Sequence, residues 1–312
     1  HEAYIALDRK IDQLSENRNY KEAIALLEQS YGQFPEFDFE LKVSALYCFR
    51  NDKNYEKCLE LLKEGLSKGY FYGLRWKSWD PLRDMPGWKE IVERNDVNKA
   101  EAERTSRMEY KVYVPEGLDG GKKYPLFVAL HGDGNACNIK DFSREWKPEP
   151  LLDHGFIVAY VQSSHPECTG GFGWTYDYGK SRSEIGTAYD LICDQYPVDR
   201  GQVILGGFSG GAMASLNVMM NDTFPLKGIV ALCPNETDDT DDENMKKAAV
   251  RGMKMVLLEG EKSGEVPYHR QLMESAEKNH LPAKYIINEG AGHTVPDNFG
   301  QVLVQAVDFL LE

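Results

Sequence analysis

Apolar positions along residues 1–95 recur at helical spacing, and they do so twice. "ENRNYKEAIALLEQS" (16–30) and "NDKNYEKCLELLKEG" (51–65) share the order Asn-Tyr-x-x-small-aliphatic-x-Leu-Leu, with Tyr20 and Tyr55 separated by 35 residues. "AYIALDRKIDQL" precedes the first copy and "DFELKVSALYCF" the second, each apolar at three- and four-residue steps. A period near 34 residues predicts a helix–turn–helix array. Ala23 and Cys58 fall where paired helices approach closely and a small side chain is required, and Pro35 closes the first copy. Residues 96–107 are polar and charged, and read as a linker.

From residue 108 the period changes. "MEYKVYVPE" (108–116) alternates as a half-buried strand does. "YPLFVAL", "FIVAYVQ", "QVILGG", "GIVALC", "KMVLLEG" and "AKYIINEG" are short, continuous apolar runs, suited to strands covered on both faces. Helical stretches lie between several of them, such as "SEIGTAYDLICDQY" and "NFGQVLVQAVDFLL". The predicted fold class is α/β, a mostly parallel sheet flanked by helices, preceded by an all-α helical-repeat domain. The expected domains are 1–95, a linker at 96–107, and 108–312. In a parallel sheet, ligands bind beyond the carboxyl ends of the strands, so the loops there are where chemistry is sought.

Charge narrows the partners. The formal net charge is −14, of which −2 falls in residues 1–95 and −12 in the remainder. Such a surface repels phosphate backbones and anionic lipid, and no apolar run approaches the roughly 20 residues of a membrane span. Neither nucleic acid nor membrane is expected as a partner. The six cysteines form no disulfide-scaffold pattern, which suits reduced thiols in a cytoplasmic protein, although Cys137 and Cys168 lie in loops where a bridge is conceivable. The acidic run "ETDDTDDE" (236–243) lacks the glycine and closing glutamate of a calcium loop, and reads as a solvated turn feeding a helix. No metal and no cofactor is expected.

Three loops carry candidate chemistry. Gly207-Phe208-Ser209-Gly210-Gly211 follows a predicted strand and opens a predicted helix, the context a G-x-S-x-G nucleophile elbow requires. A turn that sharp strains the serine, and residues two positions away must lack side chains. "LHGDGN" (130–135) follows an earlier strand, where such a fold places its second oxyanion donor. The Gly210 and Asp133 N–H groups are the candidate oxyanion donors, and His131 is assigned a structural role. "EGAGHTVP" (289–296) follows the last strand and offers His293 as the general base. The Gly- and aromatic-rich loop 165–179 is expected to border the substrate, with Trp174 or Tyr176 lining a pocket.

These motifs give two resemblances. Residues 108–312 resemble an α/β-hydrolase of the small serine esterase type, with serine and histidine in that family's chain order. Residues 1–95 resemble a tetratricopeptide-repeat domain of two repeats, without the family's early Trp and Gly. "LRWKSWDPLRDMPGWKEIV" (74–92) is similar to that family's capping end, with a short helix starting near Pro86. The hydrolase resemblance implies acyl transfer from an ester to water with Ser209 as nucleophile and no cofactor. A small acyl ester, a feruloyl-type ester and a thioester all fit. The repeat resemblance implies a peptide or protein partner.

One element departs from the hydrolase pattern. "GEKSGEVP" (260–267) resembles Gly-x-x-Asp-x-x-Val-Pro, but Ser263 stands where the acid is expected. Glu265 is the first choice for the acid, with Glu261 beside it. Glu236 or Asp238 could supply it from the neighbouring strand end, or the site is a bare Ser–His pair. Two other classes stay open at this point. One is a peptide-binding scaffold whose hydrolase domain is impaired, and the other is a peptidase resembling the prolyl oligopeptidase group.

Overall fold

A computed structural model describes residues 2–140, 146–237 and 239–312. The chain divides into two compact units. One runs to Thr105 and includes Glu167–Thr169, and the other comprises Ser106–Pro166 and Gly170–Glu312.

The first unit is all-helical: α1 (Glu2–Glu16), α2 (Tyr20–Ser30), α3 (Asp38–Asn51), α4 (Tyr55–Ser67) and α5 (Trp88–Thr105). Each helix packs on the next in sequence. The two tyrosines of the repeated pattern open α2 and α4. Ala23 and Cys58 are fully buried, at the close approaches that require small side chains. Asn54 caps α4 by accepting the Lys57 N–H. Of the stretch expected to be a linker helix or tether, residues up to Thr105 are helical and continue α5. Its polar residues include Asn98, whose side-chain amide donates to the carbonyls of Leu66 (2.9 Å) and Tyr70 (2.6 Å). Asn95 clasps the Tyr72 backbone from both sides. The polarity read as solvation thus belongs partly to docking. Glu167, also in this unit and buried, receives the Arg75 guanidinium at 3.0 Å.

The second unit is built on seven strands: β1 (Glu109–Tyr113), β2 (Tyr124–Leu130), β3 (Ile157–Gln162), β4 (Val198–Phe208), β5 (Gly228–Leu232), β6 (Lys254–Gly260) and β7 (Ala283–Asn288). Their spatial order is β1-β3-β2-β4-β5-β6-β7, parallel except for β1. The continuous apolar runs are explained by burial of both faces. Leu126, Val128 and Leu130 of β2 join one core with α7 (Tyr178–Gln195), α8 (Gly210–Met220), α9 (Asp242–Val250) and α10 (Val266–Lys278). Phe127 and Ala129 join the other, with α6 (Glu149–Asp153) and α11 (Phe299–Leu311).

The order of the strands locates the site. From β2 the chain crosses to β3 on one side and then to β4 on the other, so the direction of winding reverses between β2 and β4. A crevice opens at such a switch point beyond the carboxyl ends. Leu130 pairs with Gly207 there. The two loops that leave at this point are "HGDGN" and the G-x-S-x-G turn.

Replacing Leu205, fully buried in β4, by alanine leaves a cavity in the centre of the sheet. The expected loss is about 2–5 kcal/mol of stability, read from the urea midpoint of the transition of the second unit.

Candidate active site

Ser209 follows β4 and precedes α8 with φ 53° and ψ −116°, a conformation that a residue with a Cβ adopts only under strain. Backbone bonds over-determine it. Its N–H donates to Leu232 O (2.8 Å), and its carbonyl accepts from Ala212 and Met213 N–H. The glycines have separate causes. A Cβ on Gly207 would strike the Gly211 carbonyl, one on Gly211 the His131 carbonyl, and one on Gly210 the Asp133 carboxylate. Gly210 is the first residue of α8, so its N–H belongs to a first turn that has no intrahelical acceptor.

The facing loop is held rigidly. The Asp133 carboxylate accepts from Trp174 N–H (2.7 Å) and from the Thr175 N–H and hydroxyl. This occupies its lone pairs and fixes its main chain beside Gly210. His131 is buried, with Nδ1 on the Gly132 carbonyl and Nε2 accepting the Ser163 N–H at 3.1 Å. That network assigns the proton to Nδ1, and burial pushes the pKa down to about 4. His131 is a neutral brace.

Trp174 corrects the expectation of a pocket wall. It is 0% exposed, and its indole N–H donates to His131 O at 3.0 Å. Its large surface fills the core under the loop, so it orders the segment from His131 to Asp133 and presents nothing to a ligand. Tyr176, the alternative, is exposed.

His293 lies in the loop after β7. Gly260 meets the Gly292 carbonyl too closely for any Cβ, Lys262 N–H donates to Ala291 O (2.9 Å), and the Glu261 carboxylate accepts the Gly290 N–H (2.9 Å). The His293 ring packs on Phe208, next to Ser209, with centroids 5.1 Å apart. The structure thereby brings the base loop to the elbow. The ring keeps an exposed edge, yet desolvation by the surrounding protein lowers its pKa from the ordinary 6.5. The negative charges of Glu259 and, to a smaller degree, Glu265 oppose that shift.

The carboxylate beside His293 is one the sequence reading did not select. Ligand atoms of Glu259, His293 and Cys233 all lie within 4.8 Å of one another, and Glu265 does not belong to this group. Glu265 instead starts the turn into α10, its N–H donating to Ser263 Oγ (3.2 Å). Glu261 is committed to Gly290, Glu236 is exposed, and Asp238 lies outside the described residues. Glu259 is 0% exposed at the end of β6. Its Oε1 accepts the Gly260 N–H (2.8 Å), and its Oε2 is left without a hydrogen bond.

His269 of α10 faces that oxygen. It is also 0% exposed, with Nε2 donating to Pro234 O at 2.7 Å and Nδ1 standing 3.6 Å from Glu259 Oε2. Glu259 is therefore flanked by two imidazoles, one deep and one at the surface. A sequence signal for it existed. A glutamate inside an otherwise apolar parallel strand is a buried charge, and buried charges are paired. His269 is hidden by its position within a helix.

Cys137 is half-buried in its loop, and Cys168 is buried. A cavity of about 310 Å³ flanks the base loop, lined by Lys147, Thr294, Val295, Asp297, Phe299 and Leu303 among others. Among the described residues no helix is long and apolar enough to cross a membrane.

The parallel sheet, the elbow at the switch point and the histidine loop after the last strand define an α/β-hydrolase. Residues 186–301, a little over a third of the chain, match the family described as Phospholipase/Carboxylesterase, and the described residues before them include five N-terminal α-helices. A bifunctional acetylxylan esterase/xylanase from Neocallimastix patriciarum is 28% identical over 124 residues, 39% of this chain and 17% of that protein. A probable dipeptidyl-peptidase 5 from Aspergillus terreus is 32% identical over 62 residues, 20% of this chain and 8% of that protein. The chain thus spans less than a fifth of the length of these curated relatives. In fold it is similar to an uncharacterized protein from Bacillus cereus, with TM-score 0.55 and 20% identity over 98% of both chains.

A Gly207→Ala substitution forces the new methyl against main chain and not against a side chain that can rotate away. Expected is a loss of at least about 1–3 kcal/mol in stability, measured by thermal unfolding, together with loss of fluorophosphonate labelling.

Proposed function

We propose that the C-terminal unit hydrolyses a carboxylic ester through an acyl-enzyme on Ser209. The observation that carries this is the strained Ser209 backbone at the switch point, with the His293 ring packed on the adjacent Phe208. Strain of this kind persists where a hydroxyl must stand free above the strand ends. The family match at residues 186–301 and the acetylxylan esterase likeness support the same reaction class.

In this reading Ser209 Oγ attacks the ester carbonyl as His293 takes its proton. The Gly210 and Asp133 N–H groups receive the negative charge that develops on the carbonyl oxygen. The imidazolium then protonates the departing alcohol, and a water activated by the same ring releases the acid. Glu259 takes the role first assigned to Glu265. It is the carboxylate grouped with His293, and it stabilises the ring when charged. Ser263 carries no charge and cannot do this. His269 packs on the remaining side of Glu259, with Nδ1 3.6 Å from Oε2. The cavity beside Thr294 and Phe299 offers room for one arm of a small ester. The helical unit serves as an interaction domain of tetratricopeptide type, with a peptide or protein partner.

A peptidase reading has one specific support, the likeness to a dipeptidyl-peptidase over 62 residues. Hydrolysis of p-nitrophenyl acetate, with matched anilides left intact, decides for the esterase. Turnover of the anilides at a comparable rate decides for the peptidase. In either case Ser209→Ala removes labelling by a fluorophosphonate.

Two outcomes follow for pH and charge. The base works neutral, so kcat/KM rises with pH through a limb that lies below 6.5, because desolvation lowers the His293 pKa. Glu259→Gln cuts kcat by about 10³–10⁴-fold, as loss of a triad carboxylate does, and moves the limb lower still by removing an upward electrostatic push. A pH–rate profile of both proteins checks this. An equal loss in Glu265→Gln with Glu259→Gln unaffected would return the role to Glu265.

A further inference from the structure

Three neighbouring strands, β5, β6 and β7, end side by side, and each contributes one metal-ligating side chain at or just beyond its carboxyl end. Leu232 pairs with Leu258, so the next residues, Cys233 and Glu259, lie abreast, with Cys233 N–H donating to Leu258 O at 2.8 Å. His293 closes the third side from the loop after β7. The thiol, carboxylate and imidazole ligand atoms all lie within 4.8 Å of one another. Nothing in the hydrolytic reaction above uses Cys233. It is nonetheless fully buried and held at φ 53° with its sulfur turned toward the Thr294 carbonyl (3.8 Å).

We propose that Cys233, Glu259 and His293 form a binding site for a thiophilic divalent cation of the Zn²⁺ type, and that its occupancy switches the hydrolase off. Zn²⁺ takes thiolate sulfur at about 2.3 Å and imidazole nitrogen or carboxylate oxygen at about 2.0–2.2 Å, which sets tetrahedral ligand atoms roughly 3.5 Å apart. The 4.8 Å bound on the observed group exceeds that spacing by about 1 Å. Glu259 is fully buried and keeps one oxygen without a hydrogen bond, so its carboxylate has capacity left for a cation. The mixed S, N, O set excludes Ca²⁺ and Mg²⁺, which prefer oxygen alone. On coordination the Cys233 thiol releases its proton to solvent. Water completes the fourth position, as in three-ligand zinc sites. The exposed edge of His293 is the way in.

The inhibitory half of the proposal rests on the roles given above to His293 and Glu259, whereas the binding half does not. A cation bonded to the imidazole and the carboxylate removes the base and its partner together.

The test uses the full chain freed of metal by chelator, with Co²⁺ as spectroscopic probe and Zn²⁺ as inhibitor. Expected is a thiolate-to-Co²⁺ absorption band at one equivalent in the wild type and none in Cys233→Ser. Zn²⁺ should raise the unfolding temperature of the wild type. It should also inhibit p-nitrophenyl acetate hydrolysis at least about 10-fold more strongly in the wild type than in Cys233→Ser, each protein being compared with its own metal-free rate. Cys233→Ala serves the same comparison should the serine variant fold poorly. Absence of the band in the wild type overturns the site. Equal Zn²⁺ inhibition in both proteins overturns the role of Cys233. A band with undiminished hydrolysis overturns the switch and, separately, the assignment of His293 as base. A protein that never hydrolyses esters fails the functional reading alone, because the band still reports the cation.

Discussion

The constraint on which the rest depends is a meeting of main chains where β2 ends beside β4. The Gly207 and Gly211 backbones and the His131 carbonyl approach so closely that no Cβ fits between them. That contact holds Ser209 in its strained turn, sets α8 against the sheet, and aligns the "HGDGN" loop with the first N–H groups of that helix. Strain at one residue is affordable because its own N–H and carbonyl are both bonded and its neighbours are packed on two sides. The catalytic proposal is, at bottom, a statement about a place where side chains have been removed so that backbones can touch.

The second constraint is electrostatic and lies one strand pair away. A glutamate with no exposed surface needs partners for both oxygens. The Gly260 N–H satisfies one, and the two imidazoles of His269 and His293 face the remainder of the carboxylate. The deep ring is anchored to Pro234 O and stands with Nδ1 3.6 Å from the carboxylate. Depth thus separates two similar side chains: one is enclosed and the other meets solvent.

The loop between β3 and α7 shows how one segment can serve several ends. Trp174 and Thr175 secure Asp133, while Glu167–Thr169 fold into the helical unit and receive Arg75. An aromatic-rich, glycine-rich loop looks in sequence like the wall of a pocket. Its largest ring is instead the plug beneath the oxyanion segment. Likewise the polar stretch after Asn95 looks like a tether, but most of it is the last turns of a helix whose asparagines bind carbonyls of the preceding segments.

The amino-acid order by itself determined what depends on local periodicity and local sterics. The change from helical to strand period near residue 108, the doubly buried strands, the paired helices opened by Tyr20 and Tyr55, and the elbow around Ser209 each follow from residues within a few positions of one another. Only the tertiary structure decided which carboxylate stands beside His293. Glu265 is closer to it along the chain, but parallel pairing of β5, β6 and β7 carries Glu259 alongside Cys233 and under the histidine loop. Sequence patterns report which face of an element is buried. They do not report which residues of three separate strand ends share one buried space, because that is set by register and strand order across tens of residues.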